Sequence, residues 1–336
     1  MRHRLKDVAE RAGVSVKTVS NVVNGYLHVR PDTRARVEEA IAELNYRPNL
    51  SARNLRKGRT GVIALAVPEL DIPYFAELAR HVVTAAAAHG WTVLIDQTGG
   101  GPEQERKVAS GIGDHMIDGL IFSPLALTAD DLAGLDGMPM VLLGERVDHG
   151  PADHVVVDNV AAAQEITAHL IGLGRRRIAA IGSQRTPEGA SARLRLAGYT
   201  AALDEAGIGY DEKLVAPAPA WHRADGAAAM RHLLAAGVRP DAVFCFNDTL
   251  ALGALRALHE ADLRVPEDVA VAGFDDIEDG RFSIPTLTTV APDKERIARL
   301  AVELLAGRLD GDRDAPPREL TAPHRLATRE STTGRP

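Results

Sequence analysis

Between Leu5 and Gly25 the chain reads LKDVAERAGVSVKTVSNVVNG, and four of its side chains have the chemistry to read hydrogen-bonding edges. Val16, Lys17, Ser20 and Asn21 share one stripe of a helix and offer an apolar surface, an ammonium, a hydroxyl and an amide. An outward helical face of that size fits the major groove of double-stranded DNA. The same stretch supplies the elements that must hold it. Leu5, Val8, Ala9 and Ala12 line one face of a first helix. Gly13 allows the sharp turn that a residue with a Cβ would resist. Ser15 caps a second helix whose Val19, Val22 and Val23 point inward. Two helices joined by a short Gly-containing turn make a helix-turn-helix, here over residues 5–24.

The charge distribution agrees. Residues 1–60 hold 13 Lys and Arg against 6 Asp and Glu, a balance of +7, whereas the whole chain of 336 residues carries −7. A basic end on an acidic body is the electrostatic footprint of a segment that meets a polyanion. Pro31 opens a third helix with Val37, Ile41 and Leu44 on one face, completing an all-α headpiece over residues 1–46. Residues 47–59 follow as a linker. Pro48 breaks the preceding helix, and the basic segment 49–57 is too short to be helical alone in water, so only a partner would order it.

From Gly61 onward the pattern changes to apolar strands alternating with amphipathic helices. Strands are predicted at 62–67, 91–96, 118–122, 139–143 and 154–157, with helices at about 74–89 and 102–115 between them. A second series has strands at 177–181, 242–246 and 268–274 and helices at about 190–206 and 248–261. Continuous apolar strands separated by helices imply parallel sheets covered on both faces. Two such series predict two Rossmann-like lobes over residues 60–336, with ligands bound where strand C-terminal ends face a cleft. No apolar run approaches a membrane span, and MRHRLKD lacks the apolar stretch of a signal peptide. The single cysteine, Cys245, reads as a buried structural thiol. Together these features predict a soluble, cytoplasmic protein.

The chain resembles the lac repressor (LacI/GalR) family of bacterial transcription regulators along nearly its whole length. The resemblance is carried by KDVAERAGVSVKTVSNVVNG, VRPDTRARVEEAIAELNYRPN, ARNL at 52–55, RLAGY at 195–199, FNDTLALGALRAL at 246–258, GFDD at 273–276, PTLTTV at 285–290 and LATREST at 326–332. It implies a homodimer with a DNA-binding headpiece, a hinge helix and a two-lobed effector-binding core like that of periplasmic sugar-binding proteins. The first lobe would span about 60–158 plus 291–317, and the second about 159–290 plus 318–330.

Carried onto this sequence, the resemblance makes Val16, Lys17 and Asn21 base-reading positions. Lys17 could donate to guanine O6 and N7, Asn21 could pair with an adenine edge or a phosphate, and Val16 could pack on a thymine methyl. Leu5, Ser15, Thr18, Ser20, Asn24, His28 and Thr33 would join them at the DNA, fixing register on the backbone, with ordinary capping the alternative for Thr18 and Ser20. In the linker, Leu55 matches the hinge leucine that wedges between base pairs from the minor groove, unless it packs on its dimer mate instead. Asn49, Ala52 and Arg53 belong to the same contact, with Arg56 placed to meet phosphates.

For the effector, the candidates are Asp71, Tyr74 and Phe75 after the first strand, then Arg195, Trp221, Asn247 and Asp275. Arg195 would grip effector hydroxyls or ring atoms, Asp275 would accept from a sugar diol, and Phe75 or Trp221 would stack on a ring face. The bland alternatives are a surface Arg195, an Asp275 that caps a turn, and core roles for Tyr74 and Phe75. The sequence departs from the family at Ile72, where many members carry Asn. RLAGY with Trp221 favours a sugar effector; YFAEL also resembles the stacking loop of the purine repressor and leaves a nucleobase as the alternative.

No HExxH, GxSxG or completed phosphate loop occurs, so neither catalysis nor a metal or cofactor is expected. A sugar-binding protein without a regulatory role, and an architectural DNA binder without effector, are the rival readings. The end of the chain lacks a leucine heptad, so the resemblance implies a dimer rather than a tetramer.

Overall fold

The structure is a computed structural model of the chain and describes residues 4–23, 26, 28–46, 59–111, 117–135, 138–147, 150–186, 188–311 and 315–334. The chain divides into two compact units, Met1–Gly61 and Val62–Pro336.

The first unit packs three helices, α1 (Leu5–Ala12), α2 (Val16–Val23) and α3 (Pro31–Glu43). Val8, Ala9, Ala12, Val19, Val22, Val37, Ala40 and Tyr46 form its core. Gly13 adopts φ 64° and closes α1 by donating its N–H to the carbonyls of Ala9 and Glu10. The Arg11–Glu43 ion pair, at 2.6 Å, ties α1 to α3.

The second unit is built from two sheets of six strands. In the first lobe the chain runs β1 (Val62–Val67), α4 (Pro73–Ala87), β2 (Thr92–Gln97), α5 (Pro102–Ala109), β3 (Gly119–Phe122), α6 (Ala129–Ala133), β4 (Met140–Leu143) and β5 (Asp153–Val157). It crosses to the second lobe for α7 (Asn159–Gly172), β6 (Ile178–Ser183), α8 (Ala190–Glu205), β7 (Val215–Pro217), α9 (Arg223–Ala235), β8 (Ala242–Cys245), α10 (Asp248–Glu260), β9 (Ala270–Phe274), α11 (Glu278–Phe282) and β10 (Thr288–Pro292). The chain then returns with α12 (Lys294–Asp310) and β11 (Glu319–Ala322), and crosses once more for β12 (His324–Ala327) and α13 (Glu330–Thr333).

The strand orders are β11-β5-β4-β3-β1-β2 and β12-β10-β9-β8-β6-β7. Every pairing is parallel except that of β10 with β12. The apolar runs VIALAV and AVFC are buried almost throughout because helices cover both faces of each sheet. Cys245 is buried in β8, and burial raises its thiol pKa.

The lobe boundaries differ from the sequence expectation at two points. Ala291 and Pro292 remain in the second sheet, paired with β12, and residues 319–322 join the first sheet beside β5. The buried carboxylate of Asp153 explains the second difference. It accepts two hydrogen bonds of 2.8 Å from the Arg308 guanidinium and one of 2.8 Å from the Arg318 backbone N–H, which seats β11 against β5. The helix expected over 102–115 ends at Ala109.

Candidate functional site

In the first unit, the Ser15 hydroxyl accepts from the Thr18 N–H at 3.1 Å and lies 2.8 Å from the Thr18 hydroxyl. Thr18 therefore takes part in the cap of α2. Val16, 45% exposed, and Lys17 stand outward on that helix, with Ser20 and Asn21 half-exposed. His28 is exposed and Thr33 half-exposed. Leu5 is half-buried, with its side chain packed against the three-helix core. Asn24, Asn49, Ala52, Arg53, Leu55 and Arg56 lie outside the described residues.

In the second unit, the C-terminal ends of strands from both sheets enclose a cavity of about 280 Å³. Tyr74, Phe75, Arg195, Trp221, Asn247 and Asp275 all line it. Asp71 is not among the lining residues and is exposed on the loop before α4. Ile72 lines the cavity and makes no side-chain cap on α4, so this stretch of wall is apolar.

Arg195 is buried, not a surface residue. Gly198 places α8 so close to α7 that an added Cβ would stand 2.2 Å from the Val160 carbonyl oxygen. That approach brings the Arg195 Nε within 2.7 Å of Asn159 Oδ1, at the crossing between lobes. Its Nη1 donates to the Phe246 carbonyl, and its Nη2 stands 3.9 Å from Asp275 Oδ1. The guanidinium is layered between aromatic rings, 3.5 Å from the Phe274 centroid and 5.2 Å from that of Trp221.

Asp275 follows β9 at φ 111° and is 7% exposed. Burial pushes its carboxyl up to about 6; Arg195 and Lys294 pull it down, and Glu145 and Glu77 push it further up. Behind it Asp248 is fully buried, and burial followed by the Asp275 charge raises its pKa well above the ordinary range. Asp248 accepts from Thr289 Oγ1 at 2.6 Å and from the Ile277 N–H at 2.9 Å.

Asn247 is the N-cap of α10. Its Oδ1 accepts from the Leu250 N–H and the Thr249 hydroxyl, and its Nδ2 donates to the Trp221 carbonyl at 3.0 Å. Trp221 in turn donates Nε1–H to the Gly182 carbonyl at 3.0 Å. Tyr74 and Phe75 line the cavity while packing on the first-lobe core, so the wall and core readings hold together.

Several lining or supporting groups had no motif to betray them. Glu145 follows β4 and accepts from the Ser191 hydroxyl at 2.6 Å across the lobes. Glu69 follows β1 and meets His222 of the second lobe at 2.9 Å. Buried Lys294 donates to the carbonyls of Asp275 and Asp276 at 2.6 and 3.0 Å and pairs with Glu77 Oε2 at 2.6 Å. Such a site can hold a small polar ligand: aromatic faces for its ring, carboxylates as acceptors and a fixed guanidinium as donor. Among the described residues no group of three or more His, Cys, Asp or Glu is placed to hold a metal, and no helix is long and apolar enough to cross a membrane.

Residues 4–49 match the model for bacterial regulatory proteins of the lacI family, and residues 167–332 match that for a periplasmic binding protein-like domain. The HTH-type transcriptional repressor PurR of Erwinia tasmaniensis is 36% identical over 317 residues, covering 92% of this chain and 91% of the relative. The chain belongs to the lacI family of bacterial regulatory proteins. Family membership is matched by the fold. The lac repressor dimer bound to operator and the anti-inducer ONPF is 30% identical over 99% of both chains, with a TM-score of 0.83. The complex of the transcriptional regulator CelR with cellobiose is 33% identical over 98% of this chain and all of that one, with a TM-score of 0.73.

Proposed function

We propose that this regulator represses transcription by holding a near-palindromic operator as a homodimer, and releases it when a sugar-class effector fills the cavity between the lobes. The observation that carries the reading is the buried Arg195–Asp275 pair, set among aromatic rings and hydrogen-bonded to Asn159 at the lobe crossing. A ligand that engages this pair also engages, through Asn159, one of the places where the chain crosses between the lobes. The lac repressor dimer with its operator supports the DNA half, and the CelR–cellobiose complex supports the sugar half. On the second unit, Phe282 and Ile284 are 79% and 85% exposed, an apolar patch suited to a second copy of the chain.

The headpiece residues Val16, Lys17 and Asn21 read base edges in this account, with Ser15, Ser20, His28 and Thr33 on the backbone. Leu5, Thr18 and Asn24 join them in the headpiece, and Asn49, Ala52, Arg53 and Leu55 complete the DNA contact through the linker. Tyr74, Phe75, Arg195, Trp221 and Asp275 hold the effector, and Asn247 keeps Trp221 in place.

A thermal-shift screen of the full-length protein against monosaccharides, disaccharides, phosphorylated sugars and purines tests the effector class, because a ligand of the folded form raises the midpoint by mass action. A midpoint raised by a neutral sugar supports the reading. A shift by purines alone would overturn it in favour of the nucleobase class, which the likeness to PurR makes the second candidate.

A further inference from the structure

We infer, resting on the sugar reading, that the Glu69–His222 contact is a latch across the rim of the cavity that restricts it to a neutral, single-ring polyol. Glu69 comes from the loop after β1 and lines the cavity, whereas His222 follows Trp221 at the N-cap of α9 in the other lobe. Their nitrogen and oxygen are 2.9 Å apart, and the side chains are 37% and 32% exposed. The pair therefore stands where the cavity meets solvent, not at its base. Glu145 and Ser191 make a second cross-lobe bond, at 2.6 Å.

With both bonds made, the space of about 280 Å³ lies just below the range, about 300–1,000 Å³, of sites that take drug-sized ligands. One sugar ring suits that space, and a second ring has to pass through the plane of the Glu69–His222 pair. Charge narrows the class further. The lining holds the carboxylates of Glu69, Glu145, Glu188 and Asp275 against the guanidiniums of Arg146 and Arg195. Both guanidiniums are already engaged with carbonyl oxygens, Arg146 with Ala126 and Arg195 with Phe246. Carboxylates accept from hydroxyls and repel a phosphate. The likeness to the CelR–cellobiose complex thus does not extend to ligand length.

The test is titration calorimetry and stopped-flow dissociation on the full-length wild type, His222→Ala and Glu69→Gln. The probes are glucose, galactose, ribose, glucose 6-phosphate, cellobiose and lactose. The wild type should bind one of the monosaccharides about tenfold or more tighter than a disaccharide containing it or than its phosphate. Both variants should narrow the gap between one ring and two, and release the monosaccharide about two- to fivefold faster, the range a half-exposed polar contact supports. Glu69→Gln preserves the side-chain volume and carries the result should His222→Ala fold poorly. Equal wild-type affinity for one ring and two, or an unchanged ratio in both variants, would overturn the latch while leaving the sugar reading standing. Binding of no sugar by any of the three proteins would sink that reading, and the latch with it.

Discussion

Replacing Asp275 by Asn should strengthen the ligand-free protein and cripple effector binding at the same time. The carboxyl rises from an ordinary 3.8 to about 6 because it is buried, and Arg195 at 3.9 Å only partly compensates. At 1.36 kcal/mol per pH unit, keeping it ionised at neutral pH costs the fold about 3 kcal/mol. The sign follows from linkage. A carboxyl whose folded pKa is raised contributes its stability fully below 3.8 and loses it as pH rises through about 6. Asn has nearly the same shape, tolerates a positive φ and carries no charge to bury. The Arg195 bonds to Asn159 and Phe246 are untouched by the change. The ligand-free midpoint at neutral pH should therefore rise by on the order of 5–10 °C. A charge-assisted hydrogen bond to a hydroxyl is worth about 1.5–3 kcal/mol, so losing acceptance from a diol should weaken effector binding about 10–150-fold. In the wild type, affinity should likewise fall as pH drops below about 6. Calorimetry of both proteins between pH 5 and 8 reads each quantity. A destabilised Asp275→Asn would refute the claim that burial of the carboxylate is the dominant cost. Unchanged effector affinity would remove Asp275 from the site.

Three further outcomes follow from the same geometry. Arg195→Ala leaves the buried Asp275 carboxylate without its neighbouring cation, and Asn159 Oδ1 and the Phe246 carbonyl without their donor, so chemical denaturation should show a loss of about 3–5 kcal/mol together with loss of the effector response. Lys17→Ala should cost about 1–3 kcal/mol against the selected operator and much less against random duplex, measured by fluorescence anisotropy; equal losses would make Lys17 a phosphate contact. Phe282→Glu places a charge in the exposed apolar patch and should shift the protein toward monomer in sedimentation velocity, whereas an unchanged dimer would put the interface elsewhere.

The headpiece was legible because its signals are local. Gly13 had to turn, Ser15 had to cap, and three valines of α2 had to face inward. Strands such as VIALAV were equally plain, their apolar runs set by burial on both faces. Helix α7 offered no stripe to read, since NVAAAQEITAHLIG is apolar on several sides and buries Ala162, Ala163, Ile166 and Leu170 together. The lobe crossings were blurred because Asp153 gathers Arg308 and Arg318 from more than 150 positions away, a long-range pairing that no window of sequence contains. The site divides in the same way. Arg195 and Asp275 sit in family motifs and were found. Glu69, Glu145 and Lys294 sit in loops or helix starts with no motif, and only the folded chain brings the two glutamates to the cavity and Lys294 to the Asp275 carbonyl. Asp71 follows the same strand as Tyr74 and Phe75 but stays exposed outside the cavity lining, because position after a strand does not by itself decide which residues reach the cleft.

The central claim is that filling the cavity loosens the hold on DNA. Its most direct test is the affinity of the full-length protein for an operator selected from random duplexes, measured with and without the saturating ligand found in the thermal screen. Release predicts an operator Kd raised by about 5–150-fold, the span of an ordinary coupling free energy, with the effector Kd raised by the same factor when operator is present. A ligand that saturates the cavity and leaves the operator Kd unchanged, or tightens it, would contradict the account.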